Sequence, residues 1–333
     1  MSRSVFSQTI IIIVCLQAFA RPEFMAAEAA NIRLQVANAD VVHKAIDDDA
    51  WLIIDLRPTD AFNGWPMKWV DPRPPTDVLS RTARERGGHI PSATNFPADW
   101  VNQQNVDATL TDEAWQARKM ATWQRFCNET KLSRRKVLLY GFGSIASADA
   151  GNGTASNMKE QVRSVAEILA QLSGNQTFFY FNATSYFADS SSPIESYKNY
   201  SRLVAPRVID LIVNRKTPDS FDATKPIKIV ECSWGPPSKS YAKGHLPTAI
   251  HVNSDAFEPP PSWRLGDAKS LTSFATAHGF HSDDCIVVSG ADPLAAHRLA
   301  FVLLYMGVRD VRILNGGDNA WQRAGYKLDT TAH

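Results

Sequence analysis

Ser289 stands where a nucleophile would be placed. The run Asp284-Cys285-Ile286-Val287-Val288-Ser289 reads as a buried strand, and Gly290 to Leu294 reads as a short loop ahead of a helix spanning Ala295 to Met306. A loop between the C-terminal end of a strand and a helix N-terminus turns successive backbone N–H groups inward, and such a nest favours an anion. A cysteine opening that loop would have its thiolate stabilised by those dipoles and would take up sulfur as a persulfide. A serine hydroxyl is poorly acidic and accepts no sulfur. Ser289, Gly290, Ala291, Asp292, Pro293 and Leu294 are therefore the expected anion-binding loop, opened by a hydroxyl and not a thiol. Asp292 adds a negative charge where an anion cradle prefers neutral or basic groups.

Apart from Cys15 near the N-terminus, the thiols are Cys127, Cys232 and Cys285. An odd number allows at most one internal disulfide among them, and buried structural cysteine is the ordinary role for each. Cys285 lies four residues before Ser289, about 13 Å away at roughly 3.3 Å per residue, towards the far end of the sheet. Cys232, near the C-terminal end of a strand beside the expected pocket, is the better candidate for chemistry. No other enzyme signature is complete. Ser289 lacks a Gly-x-Ser-x-Gly elbow. The pairs Gly141-Phe142-Gly143 and Gly151-Asn152-Gly153 lack the lysine and spacing of a phosphate loop. His278 and His281 lack a third metal ligand, and neither metal nor cofactor is expected. The stretch from Trp65 to Pro75 reads either as an exposed contact surface or as a cover for the first sheet.

The elements that must position these residues occur twice. Ala50 to Arg57 is an apolar run ending in Asp55 and Arg57, followed by a Pro-, Trp- and Arg-rich loop and then Gly88-His89-Ile90-Pro91. A helix over Thr111 to Glu129, a strand over Lys136 to Tyr140, a loop rich in Gly, Ala and Ser and a helix over Met158 to Leu172 complete the first copy. The second copy begins with strand Lys228 to Trp234 and the turn Gly244-His245-Leu246-Pro247. Helix Ser270 to His278 and strand Ile286 to Val288 follow, and the helix after the Ser289 loop leads to strand Asp310 to Leu314. Alternating strands and helices specify an α/β fold with two tandem units, each a parallel sheet flanked by helices. His89 and His245 are expected to hold backbone in the paired turns.

The length of 333 residues suits two domains of about 150 residues each. A net charge of +1 gives no reason to expect a nucleic-acid partner. Arg3, the apolar run Thr9 to Leu16 and the small-x-small triplet Ala18-Phe19-Ala20 read as an export signal. The apolar run is shorter than the roughly 20 residues a bilayer demands, so a periplasmic or secreted protein without a membrane anchor is expected. The expected layout is a signal peptide over 1–20, a first domain over 36–188, a linker and bridging helix over 189–215 and a second domain over 216–330.

The paired Gly-His-x-Pro turns and the ending Leu314-Asn315-Gly316-Gly317 with Trp321 give the chain a resemblance to the rhodanese (sulfurtransferase) family. The phrases Asp55 to Thr59, Phe62 to Gly64, Glu231 to Pro237 and Leu304 to Arg312 resemble the first two domains of periplasmic three-domain thiosulfate sulfurtransferases. The resemblance places Ser289 on the family's persulfide cysteine and Ser233 where active relatives offer an arginine. It implies that the first copy has no cysteine in its loop and that the reactive cysteine of such relatives belongs to a third domain. The expectation is thus a non-catalytic module that binds a sulfur-carrying protein or a small sulfur-containing anion. The alternative is a sulfurtransferase working through Cys232 or a partner's cysteine.

Overall fold

The computed structural model describes residues 32–66, 86–106, 109–143, 153–218 and 220–331. The export segment, most of the Trp- and Pro-rich stretch and the Gly151-Asn152 pair lie outside the described residues. Two compact units are present. One holds the described residues up to Phe62 and from Pro66 to Glu195, and the other holds Asn63–Trp65 and the residues from Ser196 onward.

The first unit runs β1 (Arg33–Val36), α1 (Ala39–Ile46), β2 (Trp51–Asp55), α2 (Thr59–Asn63), β3 (Thr94–Asn95), α3 (Asp112–Glu129), β4 (Lys136–Gly141), α4 (Gly153–Ser173), β5 (Thr177–Asn182) and α5 (Thr184–Ala188). Its sheet has the order β1-β5-β4-β2-β3, and every pairing is parallel. β2 and β4 are central and covered on both faces, which is why they read as unbroken apolar runs. One face packs Ile54, Leu139 and Phe178 against α3 and α4, and the other packs Ile53, Leu138 and Phe181 against α1 and α5.

The second unit repeats the plan with β6 (Leu203–Val204), α6 (Pro206–Val213), β7 (Ile227–Ser233), β8 (Ile250–Asn253), α7 (Ala268–His278), β9 (Cys285–Ser289), α8 (Pro293–Tyr305), β10 (Asp310–Leu314) and α9 (Gly317–Arg323). Its order, β6-β10-β9-β7-β8, is the first sheet's order element for element, again wholly parallel. The segment read as linker and bridging helix supplies this unit's edge strand β6 and helix α6, with Val204, Val208 and Ile209 buried in its core. Trp65, grouped from sequence with a surface or a first-sheet cover, is buried in the second unit. It donates from Nε1 to the Leu203 carbonyl at 2.9 Å and meets Tyr200 edge-on. Five strands escaped the sequence reading: β1, β3, β5, β6 and β8. β1 is short and largely exposed, and β5 is the aromatic run Thr177-Phe178-Phe179-Tyr180-Phe181-Asn182, whose alternation of buried and part-buried positions was the available signal.

The paired turns are built alike. His89 Nδ1 lies 2.8 Å from the Phe62 carbonyl and its ring stacks on Phe62, while His245 Nδ1 lies 2.8 Å from the Tyr241 carbonyl and stacks on Tyr241. Each turn also makes an antiparallel bridge to a later segment, at Glu195 and at Asp329 respectively.

Candidate functional site

In a parallel pair, residues in register share a face, and along one strand the faces alternate. Glu231 of β7 is in register with His251 of β8 and with Ser289 of β9. Glu231, Ser233, His251 and Ser289 therefore lie on one face at the C-terminal end of the sheet, where loops of a parallel fold carry ligand chemistry. Cys232 has the opposite parity. It packs with Val230, Val252 and Val288 on the other side, whereas Ile229 and Val287 pack on the face of Glu231. Its placement beside the pocket is corrected accordingly: the strand end is right, but the thiol points through the sheet.

The loop after Ser289 is tight. A Cβ on Gly290 would lie 2.6 Å from the Cys232 carbonyl oxygen, and one on Gly317 would lie 2.7 Å from that of Gly290. Only glycine allows these two backbones to approach. Gly317 also has φ of +59°, which L side chains rarely adopt. α8 then begins at Pro293, which offers no N–H, and its first free amides are answered from within the chain. Asp292 Oδ1 accepts from the Leu294 amide at 2.9 Å as a helix N-cap, and Asp292 Oδ2 accepts from Trp234 Nε1 at 2.7 Å. The Asp292 carboxylate thus answers one of the amides that the loop would otherwise offer to an anion.

Ser289 is fully buried and donates its hydroxyl proton to Asp318 Oδ1 at 2.5 Å. Asp318 is the second residue of α9, next to Gly317 and the N-cap Gly316. Glu231 is buried as well. Among the described residues neither Glu231 carboxyl oxygen nor Asp318 Oδ2 has a hydrogen-bond partner. Burial, reinforced by the negative charge of Asp318, raises the Glu231 carboxyl above the usual range, and burial raises Asp318 against the opposing Ser289 hydrogen bond. Ser233 gives its proton to the Gly235 carbonyl at 2.9 Å, so the 2.7 Å contact with His251 Nε2 needs a proton on that nitrogen. Burial lowers the His251 pKa, with His278 and His245 adding to the effect, which favours the neutral ring.

The thiols are poorly disposed to react. Burial pushes Cys232 up to about 12, with the Glu231 and Glu258 carboxylates adding to it. Burial likewise holds Cys285 at about 12 and Cys127 at about 11. All three are free thiols. His278 Nδ1 lies 2.9 Å from the Phe274 carbonyl, and His281 stands 3.6 Å from Asp284.

The first unit fills the equivalent place differently. Asp55 is in register with Tyr140 of β4 as Glu231 is with Ser289. Tyr140 donates to Asp55 Oδ2 at 2.6 Å, Arg57 pairs with the same carboxylate at 2.6 Å, and the Arg57 guanidinium lies 3.9 Å from the Phe187 ring centre. Burial, with the Asp55 charge adding to it, raises Tyr140 well above its ordinary value. The backbone of Gly143 is held by Asn182 and Tyr180. Sequence reasoning missed Asp318, His251 and the role of Glu231. An acid inside an apolar strand, matched by Asp55 in the other copy, was the signal for Glu231; none marked the other two as its neighbours.

Residues 218–324 match the model of the rhodanese-like domain family. Over 276 residues, 83% of this chain and 52% of the relative, the sequence is 25% identical to thiosulfate sulfurtransferase YnjE of Escherichia coli (strain K12). A putative thiosulfate sulfurtransferase of Synechococcus elongatus is 29% identical over 109 residues, 31% of this chain and 33% of that protein. Among solved structures, the anaerobic ergothioneine biosynthesis enzyme of Chlorobium limicola with trimethyl histidine superposes with a TM-score of 0.67 at 22% identity, over 90% of this chain and 63% of that one. The wild-type structure of EanB gives 0.68 at 21% identity, over 92% and 64%. These structures share the fold. The chain spans about half the length of YnjE.

Proposed function

We propose that this chain, which carries a rhodanese-like domain over residues 218–324 and is homologous to a thiosulfate sulfurtransferase, is a non-catalytic member of that family that docks a sulfur-carrying protein. The observation that carries the reading is the hydrogen bond from Ser289 to the buried Asp318 carboxylate, with Glu231 beside it. A persulfide cycle needs an ionisable sulfur in an electropositive loop. Here the position holds a hydroxyl, the loop is capped by Asp292, and two acids lie beneath it. The same features disfavour a free sulfur oxyanion, so of the two ligands expected from sequence the protein partner is preferred.

The test is thiosulfate-to-cyanide sulfur transfer by the purified chain, with intact-mass spectrometry for an added sulfur atom, beside Cys232→Ser and Ser289→Cys. No turnover and no added sulfur is expected in the wild type or Cys232→Ser. Ser289→Cys is expected to remain inactive, because the neighbouring carboxylates oppose a thiolate. Wild-type turnover that disappears in Cys232→Ser would overturn the proposal. Export is proposed on Arg3, the apolar run Thr9 to Leu16 and Ala18-Phe19-Ala20. Cell fractionation with N-terminal sequencing of the mature protein checks it, and an uncleaved chain in the cytoplasm would refute it.

A further inference from the structure

We infer that Glu231 and Asp318 form a proton-operated latch on the Ser289 loop: a proton held by the pair keeps the Gly316–Asp318 turn seated against Gly290, and its loss in alkaline solution releases that turn.

The geometry starts from an imbalance. Glu231 and Asp318 are both buried, three of their four carboxyl oxygens lack a hydrogen-bond partner among the described residues, and the fourth takes only the Ser289 hydroxyl. Two ionised carboxylates without a countercharge are too costly to bury, and the ordinary resolution is a retained proton. Among the described residues no hydrogen bond or ion pair joins a cation to either carboxyl, although Arg207 has a buried guanidinium nitrogen and Arg323 of α9 stands near Gly316. β8 presents His251, whose burial disfavours the charged ring, and β9 presents Ser289. β7 itself presents Ser233, committed to Gly235 and His251. The turn before β8 brings the Leu246 amide, which favours the charged form of Glu231 without reaching hydrogen-bonding geometry, and His245, stacked on Tyr241. α9 brings Asp318, the charged neighbour that acts on Glu231. Arg312 of β10, on the same side of the sheet, is occupied by Asp310 and Ser220.

Proton loss has a mechanical consequence because Asp318 lies in the first turn of α9, which packs against the loop at Gly290. The Gly317 backbone lies against the Gly290 carbonyl, and the Asp318 amide donates to that carbonyl at 3.4 Å. Deprotonation moves one proton to solvent and leaves two like charges on adjoining elements. One of those charges lies in the first turn of α9, a helix of only seven residues. The first unit provides the internal contrast, since Asp55 is met by both Arg57 and Tyr140.

The experiment is a carboxyl-carbon NMR titration of the full chain labelled at glutamate and aspartate, with hydrogen-exchange mass spectrometry over the same pH series. The expected result is a Glu231 resonance, assigned by its loss in Glu231→Gln, that titrates far above the ordinary carboxylates. Exchange in 289–292 and 316–318 is expected to rise about tenfold per pH unit beyond intrinsic base catalysis until the pair is ionised. The equivalent loop segment 140–143 should follow base catalysis alone. Glu231→Gln should abolish the excess in the second unit. Should that variant not fold, Asp318→Asn and the wild-type titration decide. A Glu231 that titrates with the other carboxylates, or wild-type exchange without the excess, would overturn the latch. So would loop protection that depends on sodium or potassium concentration, because a bound cation would then replace the proton.

Discussion

In the first unit the buried carboxylate of Asp55 lies between Arg57 and Tyr140, whereas in the second the corresponding Glu231 faces Ser233 and Ser289, neither of which hydrogen-bonds to it. The backbone is the same in both, down to the register that sets each acid opposite its neighbour on the central strand. The difference lies in side-chain length and charge. A long cation and a phenol close the first site into a satisfied ion pair covered by the Phe187 ring. Two serines leave the second acid unanswered and let Ser289 turn to Asp318 instead. A repeated fold therefore preserves the position of a buried acid without preserving the means of neutralising it, and the two units should respond differently to mutation and to pH.

The largest effect is expected from breaking the satisfied site. Arg57→Met strips Asp55 of its buried partner and should cost the first unit about 3–5 kcal/mol, read as a shift of its denaturant midpoint with the second unit's transition unmoved. An equal shift in both transitions would show that the units do not unfold separately.

Next comes the pH dependence of the unsatisfied site. The Glu231 carboxyl is raised in the folded protein, so its stabilising contribution is complete below the ordinary carboxylate range. It drains away as pH rises towards and through the raised value. The slope can reach about 1.4 kcal/mol per pH unit for one proton. Denaturant titrations from pH 5 to 9 should show the second unit losing stability and Glu231→Gln flattening the loss. A flat wild-type profile would remove the contrast between the sites.

The paired turns sharpen the comparison by predicting sameness. His89→Ala and His245→Ala each lose one buried imidazole–carbonyl hydrogen bond and one ring stack. Each should cost about 1–3 kcal/mol, by thermal unfolding of the respective unit. Clearly unequal costs would mean that only one turn is supported by its histidine. The smallest effect is expected at the loop cap. Asp292→Ala should cost about 1 kcal/mol through loss of the N-cap, and Trp234→Phe, which removes one partly exposed hydrogen bond, about 0.5 kcal/mol. A much larger cost for Trp234→Phe would mean that the indole, not the N-cap, holds the loop.

Much of this molecule was legible before its structure. The apolar runs ending at Asp55 and Ser289, the two Gly-His-x-Pro turns and the helices over 112–129 and 293–305 are local patterns, set by strand alternation, turn chemistry and helix periodicity. That a serine opens the loop after β9 was equally plain, because it is a statement about one residue in one loop. Tertiary structure decided what surrounds that residue. Asp318 lies 29 positions from Ser289 and meets it only because β10 returns beside β9 and ends in a turn that two glycines allow close to Gly290. Cys232 and Glu231 are adjacent in the chain and opposite in the sheet, so which of them faces the pocket depends on register rather than proximity. The charge state of a buried acid is likewise no property of its neighbours in sequence. It follows from which side chains the packed strands set against it, and here they set a second acid.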